Sequence, residues 1–123
     1  MTTTTITTEF IAVRAKAVCE VFEQGHRFGS ESAAALRDLG VFTRTVAPKT
    51  GTRLHHEIVA PTEEAGKALA SYVRFWGEHF AGMASEGAGG NWDETREILT
   101  KRDAFARAFA RLAHLLARSE VAR

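Results

Sequence analysis

Four groups of residues in this chain have types and spacings that could do chemistry. Arg44, Lys49 and Arg53 flank a turn bounded by Pro48 and Gly51. Cations on an exposed turn suit a phosphate backbone or a minor groove. Ser30, Glu31, Ser32 and Arg37 lie along one short segment that Ser30 can cap as a helix. Hydroxyls and a guanidinium there suit base edges. Glu31 could accept from a cytosine amine but repels phosphate. Arg107, Arg111, His114 and Arg118 recur at i, i+4, i+7 and i+11, one face of a helix. That stripe reads first as a solvated face with Asp103 and Glu120 for neighbours, and second as a surface for phosphate or an acidic partner. The last group is five histidines, a lone Cys19 and the Glu20–Glu23 pair.

This last group predicts little catalysis. His55 and His56 are adjacent on an alternating stretch, so their side chains point to opposite faces and cannot easily share an ion. His56 is expected on the inner face beside Leu54 and Ile58, with His55 outside. His26, His79 and His114 lack ligand spacing, so neither a metal nor a cofactor is expected. Cys19 sits beside an apolar helix face with no histidine placed to activate it, and reads as a small buried residue. The glycine-rich "EGAGGNW" is not a phosphate loop, because no Lys-Ser/Thr follows it and no strand precedes it. Trp92 is expected to fold back onto the helices around it. With no enzyme signature, the chain reads as a binding module rather than an enzyme.

The elements that position these groups follow from length and pattern. The length, 123 residues, is that of one domain, and a 45% hydrophobic, 25% charged composition is ordinary for a soluble fold. A formal net charge of +1 gives no global basic field, so any nucleic-acid contact must come from local patches. One cysteine excludes an intrachain disulfide and favours a reducing, cytoplasmic setting. No apolar run reaches the roughly 18 residues of a membrane span, and "MTTTTITTEF" lacks the features of a signal peptide. No membrane partner is expected.

The spacing of Phe10, Val13, Ala17, Val18, Val21 and Phe22 predicts a first helix over about 9–24, with Thr7 as cap, Ile6 and Ile11 as staple, and Gly25 as its end. Residues 1–7 read as a disordered lead-in. A short helix capped by Ser30 stops at Gly40. Val41–Ala47 and Arg53–Ala60 alternate and predict an antiparallel hairpin with a loop of about four residues. Pro61 and Thr62 open a long helix with Glu63 and Glu64 in its first turn. Its stripe is Ala65, Leu69, Tyr72, Val73, Trp76, Phe80 and Met83. Asn91 and Glu94 have capping-box spacing for a last helix, striped with Ile98, Phe105, Phe109, Leu112 and Leu116. The fold class is therefore α+β and mostly α. A single domain, 1–123, holds a helix, short helix and hairpin over 8–60 and an antiparallel helical hairpin over 61–118. Residues 1–60 offer little cover for two aromatic stripes, so a homodimer with Trp76, Phe80, Phe105 and Phe109 at its interface is expected, the alternative being one monomeric core.

Helix, turn, short helix, glycine, strand, basic turn, strand, helix is an order with a family likeness. "SESAAALRDLGVFTRT" followed by "LHHEIVAPTEEAGKAL" resembles the winged helix-turn-helix of MarR- and PadR-like transcription regulators, over about residues 12–70. Leu36, Leu39, Gly40, Val41, Arg44, Thr62 and Gly66 occupy the matching places, with one extra residue between Thr62 and Gly66. The chain departs from the family in having only one helix before Ser30 and no Asn or Gln on the short helix. The resemblance implies a winged-helix-like fold whose short helix and wing face double-stranded DNA. The expected function is thus a small dimeric transcriptional regulator, with Ser30, Glu31, Ser32, Arg37, Arg44, Lys49 and Arg53 as nucleic-acid contacts. A second reading is a helical protein-interaction module, such as an antitoxin, inhibitor or adaptor, in which the ribbon is scaffold or an edge for a protein partner. The third is a small-molecule-binding or enzymatic dimer with a pocket lined by Trp76, Phe80 and Phe105.

Overall fold

A computed structural model of the chain describes residues 9–86 and 92–121. The elements run β1 (Ile11–Arg14), α1 (Lys16–Arg27), α2 (Glu31–Asp38), β2 (Phe42–Val46), β3 (His55–Ala60), α3 (Glu63–Ser85) and α4 (Trp92–Val121). The fold is α+β and mostly helical, with a hairpin in the middle and two long helices at the end.

The start of the chain differs from its sequence pattern. Residues 11–14 form a strand, and the first helix begins only at Lys16. The apolar spacing of Phe10, Val13 and Ala17 fits a helix, but Ile11 and Val13 also alternate, and pairing decides between the two periods. β3 would otherwise leave one edge bare. β1 covers it antiparallel, from Ile11 opposite Ala60 to Arg14 opposite Glu57. Main-chain bonds from Phe10 N–H to the Ala60 carbonyl and from Ala15 N–H to the His56 carbonyl, both 3.0 Å, extend the pairing at each end. The ribbon is therefore not alone. It belongs to a three-stranded sheet ordered β1-β3-β2, with β3 central. The expected cap and staple at Thr7 and Ile6 lie outside the described residues.

Two glycines shape the connections on either side of α2. Gly25 does not end α1, which continues to Arg27. The helix closes instead on Gly29, at φ 77°. Gly29 N–H reaches the His26 carbonyl at 3.3 Å and Ser30 N–H the Gly25 carbonyl at 2.7 Å, the two bonds of a Schellman motif. Ser30 then caps α2 by accepting from Ala33 N–H at 3.4 Å. α2 closes the same way on Gly40, at φ 92°, with bonds to Arg37 and, from Val41 N–H, to Leu36. Val41 and Leu36, which such a motif brings together, are both buried. A Cβ on Gly40 would also lie 2.8 Å from Pro61 Cγ, whereas one on Gly51 would meet nothing. Gly40→Ala is therefore expected to destabilise by about 1–3 kcal/mol from strain and clash. Gly51→Ala carries only the strain and should cost less. Thermal unfolding of the two variants checks the difference.

The hairpin is antiparallel, paired from Phe42 opposite Val59 to Val46 opposite His55. Pairing stops at those last residues, so the loop spans 47–54 rather than the expected four residues. Leu54 falls on this loop and is 54% exposed, not on the inner face. His55 and His56 are both half-buried.

α3 and α4 are antiparallel. The start of α3 meets the end of α4, where Leu116 approaches Gly66. The end of α3 meets the start of α4, where the Phe80 and Phe105 rings lie 5.3 Å apart. Thr62 caps α3 through a 3.1 Å bond from Ala65 N–H. α1 leans on α3 through an edge-on contact of Phe22 with Tyr72. One core joins the sheet to the helices, with Phe22, Ile58, Leu69, Phe105 and Leu112 fully enclosed.

The core also holds two groups that titrate at high pH. Burial pushes the Cys19 thiol up to about 12, aided by the Glu23 carboxylate, so it is no nucleophile at neutral pH. Burial likewise pushes the Tyr72 hydroxyl up to about 12. Unfolded, the two ionise near 9.0 and 10.0. Their stabilising contribution is complete below pH 9 and is lost as pH rises toward 12, because the unfolded chain gives up these protons first. The urea midpoint should fall between pH 8 and pH 11, and Cys19→Ala should make that fall shallower.

Candidate nucleic-acid interface

The α1–α2 connection is three residues long, Phe28-Gly29-Ser30, and both helix ends are tied by hydrogen bonds within it. A short glycine-containing turn between two helices is a connection shared by αα-hairpins and the helix-turn-helix. In a helix-turn-helix the second helix is the one that enters a groove, and α2 stands in that position in the chain order. Its exposed residues here are Glu31, Ser32, Ala34, Ala35, Arg37 and Asp38.

The expected contact residues divide into three kinds. Ser30 is occupied, since its hydroxyl caps α2 and lies 3.0 Å from that of Ser32. Arg37 is exposed, but its guanidinium sits 5.7 Å over the Phe22 ring, a cation–π contact within the chain. Arg44 is ion-paired within the chain. It donates from Nε to Glu57 at 2.8 Å and pairs through Nη1 with Glu9. These two carboxylates hold its proton more tightly than usual, and the Arg44 bond holds the Glu9 carboxyl below its ordinary range. Arg44 therefore ties β2 to β3 and to the segment before β1. Lys49 and Arg53 are different. Both are exposed on the 47–54 loop, and neither has an ion pair among the described residues.

The structure also brings in cations that sequence spacing did not connect to the hairpin. Arg107 and Arg111 of α4 and Arg14 at the end of β1 line one cleft with Arg53. The α4 stripe was legible as a helical periodicity. Its meeting with Arg53 was not, because Arg53 and Arg107 are 54 positions apart in the chain. Arg14 carried no signal while its segment read as helix.

The residues expected at a dimer interface fare unevenly. Phe105 is fully enclosed and Phe80 is 8% exposed, both inside one chain's own core. Sheet and helices supply the cover that seemed missing from residues 1–60. Trp76 and Phe109 are half-buried at its margin. The large apolar side chain left outside on α3 is Phe75, 62% exposed and packed edge-on against Trp76. The three side chains expected to line a small-molecule pocket pack on one another, with the Phe80 ring 5.3 Å from Phe105 and 5.9 Å from Trp76. The Trp92 side chain lies outside the described residues.

Among the described residues no three metal-ligating side chains come together, and no helix is long and apolar enough to cross a membrane. The chain matches no protein-family model, no curated protein and no solved structure.

Proposed function

We propose that this chain is a small cytoplasmic DNA-binding protein, a transcriptional regulator of winged helix-turn-helix type. The observation that carries the reading is the tight α1–Phe28-Gly29-Ser30–α2 turn leading directly into a hairpin with free cations on its exposed loop. In this reading α2 approaches the groove and the 47–54 loop is the wing. The strand before α1, paired with the wing's returning strand, adds to the likeness, since it anchors the hairpin to the helix-turn-helix.

The chemistry of the two contact elements predicts how such binding behaves. The exposed face of α2 carries Glu31 and Asp38 against a single Arg37, so base reading is weak. Lys49 and Arg53 supply phosphate contacts that carry no sequence information. Affinity is then dominated by counterion release and falls steeply with salt. The test is binding of a random-sequence duplex across a salt series. A log–log slope near zero, or no binding at low salt, removes the reading. A symmetric dimer through Phe75 and the flank of Trp76 belongs to it, with the two α2 helices about 34 Å apart, one turn of the duplex.

One observation favours the protein-interaction module instead. Phe28 in the turn and Leu54 on the loop are 81% and 54% exposed. Apolar groups on a working surface suit a protein partner better than a phosphate backbone.

A further inference from the structure

The cleft between β1, the start of β3, α1 and α4 is lined by several basic side chains. Its volume is about 910 Å³, within the range of small-ligand sites. Arg14, Arg53, Arg107 and Arg111 stand around it, and Lys16 adds a fifth cation. The one carboxylate in its lining is Glu20, which faces Lys16 at 3.9 Å. None of the four guanidinium groups has an ion pair among the described residues. Elsewhere the helices match cations with carboxylates one turn away, as in Lys67–Glu63, Arg74–Glu78 and Lys101–Glu97. On α4 that matching stops at the cleft, since residues 104–119 contain four basic side chains and no acid.

Like charges repel, so a fold that lines one cleft with four arginines lacking ion pairs leaves there a surplus of positive potential for an anion to neutralise. The residue type narrows the anion. Guanidinium forks match phosphate oxygens two at a time, and four of them exceed what a single phosphoryl group can use. Ala17 of α1 and Ala104 and Ala108 of α4 are among the other residues that line the cleft.

We infer that this cleft binds a small ligand carrying two or more linked phosphoryl groups. The site goes beyond the duplex contact of α2 and the wing, and shares only Arg53 with it. The probe is inorganic tripolyphosphate, titrated calorimetrically into the full chain at low salt without divalent metal. One ion per chain is expected to bind. Arg107→Ala/Arg111→Ala should weaken it at least about 100-fold, since each charge-assisted contact is worth tenfold or more. Arg107→Gln, which keeps most of the stem, should weaken it about tenfold or more. Arg74→Ala on α3 should leave it unchanged. Circular dichroism confirms that each variant is folded. No heat at millimolar tripolyphosphate, several ions per chain, or equal affinity in the double variant would each overturn the inference. A double variant that loses duplex affinity, in a protein that never bound tripolyphosphate, would overturn it too, and would assign the cleft to the duplex backbone.

Discussion

Phe105→Ala is expected to lower the unfolding free energy by roughly 3–5 kcal/mol, the largest stability effect of any single truncation considered for this chain. Phe105 is fully enclosed, and its ring meets Phe80 from α3. Gly77, one turn before Phe80, leaves a gap in which a Cβ would lie 3.5 Å from Phe105 Cβ, so the two helices run close at this level. Close backbones cannot move together to fill the space a lost ring leaves, and the cavity term then adds to the lost transfer free energy. Phe109, one turn on, is only half-buried, and Phe109→Ala should cost clearly less. Urea unfolding of both variants, with unchanged slope, gives the comparison. Equal costs would mean that α4 is rotated from the position described.

The second large effect is on binding. Lys49→Ala/Arg53→Ala is expected to reduce the salt dependence of duplex binding by about two units of log–log slope, one per phosphate contact. Between 50 and 200 mM salt, a protein making several such contacts loses orders of magnitude in affinity, so removing two of them should be plain at the low-salt end. The loss should be the same for every duplex sequence, because phosphate contacts carry no base information. Ser32→Ala should instead change sequence preference, if at all. Arg44→Ala should behave differently again. Its cost should appear in stability, because Glu9 and Glu57 would lose their shared cation. Fluorescence anisotropy at several salt concentrations, beside thermal melts of each variant, separates these outcomes. A double variant that binds with the wild-type slope would show that the 47–54 loop does not touch the backbone.

Much of the architecture depends on short-range signals and was legible without coordinates. Ser30 and Thr62 cap helices because a side-chain oxygen three residues before a free N–H is a local matter. Gly40 ends α2 for an equally local reason, its left-handed backbone. The alternation of residues on either side of Pro48 and Gly51 marked the hairpin, and the 3.6-residue stripes marked α3 and α4. Cys19 read as buried from its place beside an apolar face.

What tertiary structure alone decided has a common physical cause, which is that the deciding partner is distant in sequence. Ile11–Arg14 suits either period, and only the bare edge of β3, more than forty residues away, makes it a strand. Gly25 and Gly29 are equally able to end a helix. Gly29 was chosen because Ser30 could then close α1 and open α2 together. Arg44 looked like a wing cation until Glu57 across the hairpin and Glu9 beyond β1 claimed it. Phe80 and Phe105 looked like uncovered surface because stripe area can be counted from sequence, whereas the packing that covers it cannot. Arg14, Arg53, Arg107 and Arg111 meet only when the sheet lies against α4. The sequence by itself determined the types of the elements after Lys16, the caps at Ser30 and Thr62 and the stock of charges. Which charges are neutralised and which are left facing a common cleft was decided by packing, because a charge's partner is set by distance in space and not by distance along the chain.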